Sequence, residues 1–346
     1  MINITAPINS LGYGIASYNI IKNLLKQGQQ INYLPIGKPE IQDPIIQKIA
    51  IKELYEKAPS VKIWHQHELY GHVGKGMHVG FPIFELERFN NLEIQSIRYN
   101  DRIFTCSEWA KQVVETYTNV ETKVVPLGVD TNIFSPHDST RTKTIFFNCG
   151  KWEVRKGHDV LVNCFNAAFD YSDDVELWMM CHNPFYSAEQ QSQWEGLYKN
   201  SKLGDKIRII PRQKTHSDVY NIMKQTDCGI FPARAEGWNL ELLEMMACGK
   251  HVIATDYSAH TEFCDSKNCN LVSVENLESA HDGVWFHGQG MWASLKRNEI
   301  EQIVEHMRVI HGKKQDGSLG RNTDGIYTAK KFSWKNSAEK FIKGLE

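Results

Sequence analysis

The 346-residue chain contains no apolar run near the roughly 18 residues that a membrane-crossing helix needs, so no transmembrane segment is expected. Its N-terminus lacks the basic start, apolar run and small-residue cleavage site of a secretory leader. No two of its 8 cysteines form a C-x-x-C pair, and several lie inside apolar runs. That pattern reads as buried free thiols in a cytoplasmic protein, not as a disulfide frame or a zinc site. Neither sign of charge dominates. The net charge is -2, and the two signs are nearly equal both in residues 1–139 and in the remainder. Extended nucleic-acid binding by phosphate neutralisation is therefore not expected, although a locally basic groove is compatible with such a balance. A D-x-D metal motif is also missing, since Asp173-Asp174 stands in a polar stretch. The chain shows no internal repeat and no low-complexity tract.

What is present is 41% hydrophobic residues, enough for two packed cores at this length. Short apolar strands alternate with longer amphipathic stretches, the signature of an α/β chain with parallel sheets. Strands are expected at Ile2–Thr5, Ile31–Leu34, Val61–Trp64, Arg102–Cys106 and Val124–Pro126. A helix is expected from Ile15 to Gln27, where Ile20, Ile21, Leu24 and Leu25 recur at helical spacing. Ser107 is placed to cap another, starting near Glu108. The polar stretch Ser135–Lys143 contains a proline and sets the expected domain boundary: residues 1–139, then 140–328. In the second part, strands are expected at Thr144–Asn148, Glu176–Cys181, Ile207–Ile210, Cys228–Phe231 and His251–Ala254. Helices are expected at His158–Phe169, Leu240–Ala247 (closed by Gly249), Glu299–His311 and Trp334–Leu345.

Two segments carry chemistry. In Glu236-Gly237-Trp238-Asn239-Leu240, a loop leads from a strand into a helix whose free N–H groups and dipole suit an anion. Glu244, two turns into that helix, can accept hydrogen bonds from vicinal hydroxyls. The competing explanation is an ordinary amphipathic helix with solvated glutamates. Phe147–Asp159 also joins a strand to a helix and holds Lys151, Arg155 and Lys156, a cationic focus able to neutralise a diphosphate without a metal. Solvated loop charges are the alternative there.

Glu236–Lys250 resembles the E-x7-E signature of the family 4 (group 1) glycosyltransferases, retaining enzymes with the GT-B fold. The resemblance implies two Rossmann-like domains with parallel sheets facing across a cleft. The first would present the acceptor, the second would hold a nucleotide-diphosphate sugar, UDP- or GDP-linked, and residues 329–346 would cross back to the first. It implies Glu236 near the donor sugar and Glu244 on the ribose, with Gly150, Gly237, Trp238, Asn239 and Leu240 among the donor-binding positions. Lys151 and Lys156 match the family's Arg and Lys. Asn239, Glu241 and Lys151 depart from its usual Gly, Pro and Arg, and Lys151 cannot make arginine's bidentate fork. Val125–Phe134, Thr105–Ala110, Ala254–Glu262 and Phe332–Trp334 fit the same pattern. No resident cofactor or metal is implied. The implied acceptors are a saccharide or lipid-linked sugar first, with a modified nucleobase also open.

In the first half, Gly12 and Gly14 sit on the expected first strand–helix loop, where glycines let backbone approach a phosphate or acceptor; a plain tight turn accounts for them equally well. His65 and His67 lie on one side of an extended run, and related enzymes place a histidine there against the donor sugar. A metal site would need a third ligand. Glu85 resembles a glutamate of several family members, and a solvated helix start explains it as well. Trp285, Phe286 and Trp292 either stack on a ligand or pack against a loop. A nicotinamide enzyme is disfavoured, because Gly12-Tyr13-Gly14 continues to Ser17 and no acid follows in Ile31–Gly37. A catalytically inactive nucleotide- or sugar-binding module is the remaining alternative.

Overall fold

The computed structural model describes residues 1–40, 43–50 and 54–346. They divide into two units, one formed by Met1–Gly128 with Phe332–Glu346 and the other by Val129–Lys331. The first unit runs β1 (Ile2–Ala6), α1 (Gly12–Lys26), β2 (Ile31–Pro35), α2 (Pro44–Ile49), β3 (Ser60–Lys62), β4 (His78–Gly80), α3 (Asn91–Arg98), β5 (Arg102–Thr105), α4 (Glu108–Tyr117) and β6 (Glu121–Val124). All its pairings are parallel, in the order β2-β1-β3-β4-β5-β6.

The second unit runs β7 (Thr144–Gly150), α5 (His158–Ala168), β8 (Val175–Cys181), α6 (Ala188–Lys199), β9 (Ile207–Ile209), α7 (His216–Met223), β10 (Cys228–Phe231), α8 (Leu240–Ala247), β11 (His251–Thr255) and β12 (Asn270–Val272). An antiparallel hairpin, β13 (Leu277–His281) and β14 (His287–Ala293), follows, then α9 (Arg297–Gln315) and α10 (Thr323–Lys331). The main sheet is again all parallel, ordered β12-β11-β10-β7-β8-β9. In each sheet the order reverses once, between β1 and β3 and between β7 and β10. Loops at the carboxyl ends of strands flanking such a reversal diverge and leave room for a ligand.

The long buried strands β7 (TIFFNCG) and β8 (VELWMMC) are covered by helices on both faces, so their sequences are near-continuous apolar runs. The core there joins Leu161 and Phe165 of α5 to Leu177 and Met179 of β8 and to Ile303, Met307 and Ile310 of α9. In the first unit, Phe84, Phe89, Ile97, Ile103 and Val114 form a separate cluster.

Some boundaries differ from expectation. Gly12 and Gly14 are not in a loop but in the first turn of α1, where the Ile15 N–H already bonds the Leu11 carbonyl at 2.9 Å. A Cβ on Gly14 would collide with Asn9, so that glycine permits the loop after β1 to fold back on the helix. The strand before Pro126 is Glu121–Val124, since Pro126 cannot donate to a ladder. The polar stretch 135–143 lies inside the second unit, where Ser135 bonds Tyr220 at 3.1 Å and Phe134 packs on the same ring. The first unit instead breaks off at Gly128, against which Ser333 and Trp334 pack. From there α11 (Trp334–Gly344) lies on α1, and Phe341 sets its ring 5.2 Å from Phe104.

A Cβ on Gly128 would overlap the backbone of Trp334. Gly128→Ala is expected to destabilise the first unit by about 1–3 kcal/mol through overpacking. A urea titration read on the far-UV signal, giving an unchanged midpoint, would contradict this.

Candidate functional site

The second unit gathers its candidates at the carboxyl ends of β7 and β10. Gly150 closes β7 with φ 139°, and the loop after it carries Lys151, Glu153, Arg155 and Lys156. The loop after β10 carries Arg234, Glu236 and Gly237 and ends at Asn239. A chain of ion pairs ties the two loops together. Lys151 Nζ lies 2.7 Å from Glu153 Oε1, and Arg155 Nη2 lies 2.7 Å from Glu153 Oε2. Arg155 Nη1 reaches Glu236 Oε2 at 2.8 Å, and Lys156 Nζ reaches Glu236 Oε1 at 2.7 Å. Arg155 Nη1 also donates to the Ala235 carbonyl at 2.7 Å, and the Arg234 N–H to the Arg155 carbonyl at 2.6 Å.

Arg155, Glu153 and Glu236 are all buried. Burial alone would raise the Glu236 carboxyl, but Arg155 and Lys156 hold it well below the usual carboxylate range. Burial works against a charged Lys156, but Glu236 overcomes it and keeps the ammonium above its ordinary value. Glu153 is likewise lowered, against its burial, by Arg155 and Lys151. The cations are therefore not the bare positive focus that the sequence suggested. Three positive side chains meet two carboxylates, leaving one net positive charge, and only Lys151 has appreciable exposure (36% of its side chain).

Asn239 is the N-cap of α8 with φ 85°, the left-handed conformation that favours glycine and that asparagine tolerates. Its Oδ1 accepts from the Leu242 N–H at 3.2 Å, and its Nδ2 donates to His260 Nε2 at 2.9 Å. His260 Nδ1 in turn donates to the Thr255 carbonyl at 3.0 Å, which fixes a neutral ring; burial lowers its basicity in the same sense. Ser258 Oγ accepts from the Glu236 N–H at 2.8 Å. Trp238 is buried and packs on Phe263, so it supports the loop rather than lining a surface. Gly237 is buried beside it, and Leu240 opens α8 half-buried. Glu244 is half-buried and bonds no protein group among the described residues; burial, with the Glu241 carboxylate nearby, pushes its carboxyl well above the ordinary value.

Sequence reasoning missed Glu153, Arg234, Asp159 and His158. Arg234 makes a bidentate pair with Asp159 at 2.8 and 2.9 Å and reaches Glu278 of β13 at 3.3 Å. His158 Nε2 bonds Asn148 Oδ1 at 2.9 Å, and its Nδ1 accepts from the Glu153 N–H at 3.2 Å. Burial pushes this imidazole down to about 3, so it is a neutral buttress for the loop. Arg234 carried one signal: a lone cation immediately beyond an apolar strand, three residues after Phe231.

In the first unit, the candidates also stand at the sheet's reversal, after β1 and β3. Tyr13 packs 4.8 Å from His65, which stacks on His67 at 5.4 Å with the rings 16° from parallel. Trp64 lies edge-on to His65 at 4.8 Å. His65 is half-buried and His67 exposed. Glu85 is half-buried in the loop after β4. Among the described residues, no three His, Cys, Asp or Glu side chains gather to hold a metal ion. Phe286 and Trp292 pack against each other at 5.3 Å, and Trp292 is buried, whereas Trp285 is exposed.

Residues 142–284 match the family model for glycosyl transferases group 1. They are a group 1 glycosyl transferase domain. Solved structures share the fold over nearly the whole chain. A sucrose-phosphate synthase from Thermosynechococcus elongatus aligns with a TM-score of 0.74 at 12% identity, covering 99% of this chain and 97% of that one. Anabaena HepE, in complex with UDP and glucose, gives 0.74 at 12% identity, covering 99% and 98%. The fold is GT-B. A GDP-mannose-dependent α-(1-6)-phosphatidylinositol dimannoside mannosyltransferase of Mycobacterium tuberculosis is 25% identical over 185 residues, 49% of this chain and 45% of that protein. A probable sucrose-phosphate synthase of Thermosipho melanesiensis is 26% identical over 196 residues, 52% and 45%. The chain thus spans about half the length of the curated relatives it matches. No helix among the described residues is long and apolar enough to cross a membrane.

The buried ion pairs of the group 1 domain give its stability a predictable acid limit. Unfolded Glu236 and Glu153 take up protons near their ordinary value of 4.5, and the folded groups only at lower pH. Between those values the unfolded chain binds more protons, so stability falls as pH falls, by at most about 1.4 kcal/mol per unit for each group. Glu236→Gln should lower stability by about 3–5 kcal/mol at neutral pH, because Arg155 loses a buried partner, and should flatten the acid slope. Denaturant titrations at a series of pH values below neutrality read both effects; equal slopes in the two proteins would contradict the assignment.

Proposed function

We propose that the chain is a retaining, metal-independent glycosyltransferase. It moves a sugar, hexose or pentose, from a UDP- or GDP-linked donor to an acceptor hydroxyl, with a saccharide or lipid-linked sugar as the favoured acceptor. The observation that carries this reading is the pairing of Glu236, locked as a carboxylate by Arg155 and Lys156, with Glu244, which bonds no protein group among the described residues. A ribose diol supplies two donors to the second, and a diphosphate supplies charge to the one net cation of the loop after β7. The relatives support the same direction, since their names specify a GDP-mannose donor in one case and a complex with UDP and glucose in another.

The chemistry follows from the ion pairs. Both Glu236 oxygens are occupied by cations, and its proton affinity is depressed, so it is a poor proton carrier at neutral pH. Glu236 then orients Lys156 and the donor sugar. As the bond from the anomeric carbon to the phosphate oxygen breaks, the acceptor oxygen bonds to that carbon on the same face. The acceptor's proton passes to the departing phosphate, and Lys151 and Lys156 stabilise the charge that develops there. His65 or His67 is assigned to the donor sugar and the exposed Gly12 to backbone approach near the substrates; Gly14, filled by Asn9, takes no such part.

Incubation with a panel of UDP- and GDP-sugars, with released nucleotide and product mass measured, tests the reading; nucleotide binding without release from any donor would indicate a binding module. Glu244→Ala should weaken nucleotide binding by about 1–3 kcal/mol, roughly tenfold or more. Because the ribose hydroxyls donate, they prefer the ionised carboxylate, so affinity should rise as pH climbs through the raised Glu244 value. Calorimetry across neutral pH that finds Glu244→Gln and the parent equally pH-dependent would remove the ribose assignment.

A further inference from the structure

We propose that Phe185 and Trp285 form a platform for a pyranose ring of a saccharide, separate from the groups assigned to the donor. The proposal rests on the glycosyltransferase reading only for its use, as an acceptor-side contact; the platform itself rests on geometry within the second unit. Phe185 follows β8 and Trp285 stands at the turn of the β13–β14 hairpin, their ring centroids 5.7 Å apart and their planes at 71°. They are 57% and 46% exposed, although every other tryptophan and phenylalanine of this hairpin is turned inward onto protein.

The tip is held in shape. Asp282 Oδ1 accepts from the N–H groups of Val284, Trp285 and Phe286 at 2.8, 2.7 and 2.9 Å. At its base, Arg234 ties Glu278 to Asp159. Aromatics on a turn whose backbone is held in this way expose apolar area with little backbone freedom left to lose on binding. The platform adjoins the ion-pair chain, since Lys151 Nζ lies 5.7 Å from the Phe185 ring centre while paired to Glu153.

The chemistry of the corner selects the occupant. Two aromatic faces near a right angle suit the C–H faces of a puckered sugar ring; a flat base can use only one wall. The second Asp282 oxygen, which bonds no protein group among the described residues, stands beside Trp285, with the polar reach that hydroxyls require.

Methyl α-glucoside, α-mannoside, α-galactoside and N-acetylglucosaminide, each at tens of millimolar, would be titrated into the 15N-labelled protein. The Trp285 indole N–H signal, assigned with Trp285→Phe, is the readout. At least one pyranoside should shift it saturably, and Phe185→Ala should weaken that binding about fivefold or more. UDP and GDP affinity should change less than about twofold in Phe185→Ala and Trp285→Ala. Silence with all four sugars, or a shift that Phe185→Ala leaves intact, overturns the proposal, as does a tenfold loss of nucleotide affinity, which would make the corner a base-stacking surface. Sugar binding without any UDP or GDP binding would instead defeat the donor reading and leave the platform standing.

Discussion

Everything in the second unit's candidate site hangs on a buried carboxylate. Glu236 leaves the loop after β10 and meets Arg155 and Lys156 from the loop after β7, closing with two charged contacts the gap that the strand order opens. Such pairs stabilise little in net terms, because desolvation consumes most of their attraction. Their value is geometric. With either partner missing, a bare charge would stay buried, so the loops have one acceptable arrangement. Glu153, Ser258 and the Ala235 carbonyl extend that arrangement, and His158 and His260 hold it from behind as neutral rings.

The same economy appears at the hairpin. Arg234 spends its guanidinium on Asp159 at the start of α5 and on Glu278 of β13, so one side chain joins the sheet's loop, the first turn of a helix and an added ribbon. Trp292 buries its ring beneath that guanidinium, 5.8 Å away. The ribbon is therefore built onto the ion-pair framework rather than onto the apolar core, which places its tip over polar loops and leaves its aromatic end facing solvent.

The sequence made the sheets legible because β7, β8, β10 and β11 are buried on both faces and read as apolar runs. The caps at Ser107 and Gly249 were legible for local reasons, and so was α8, whose apolar residues and closing glycine lie next to one another in sequence. Short elements were harder. The three residues of β4 (His78–Gly80) carry too little pattern to stand out, and the polar α6 (Ala188–Lys199) buries only Tyr198. The hairpin shows no clear strand pattern, since Trp292 of its second strand packs on Arg234 rather than on an apolar layer. For the site, residue types were legible and their pairing was not. Glu153 looks like a surface charge until Arg155, two residues on, is seen turned inward, and that turn is dictated by Glu236, distant in sequence. Likewise the unit boundary at Gly128 depends on Trp334, which no local pattern around residue 128 records.

That return of residues 332–346 makes the second unit an insertion within the first, and synthesis meets it in an unusual order. All strands of the second sheet and the helices that cover them have been made before Trp334 and Phe341 exist. Domains generally fold as units once their residues are available. During synthesis, then, the unit that begins second can close first. The first unit, with six strands already made, waits with the surface around Phe81 and Phe104 uncovered until its last helix arrives. The aggregation-prone interval accordingly belongs to the first unit, whose chain is made on both sides of the second.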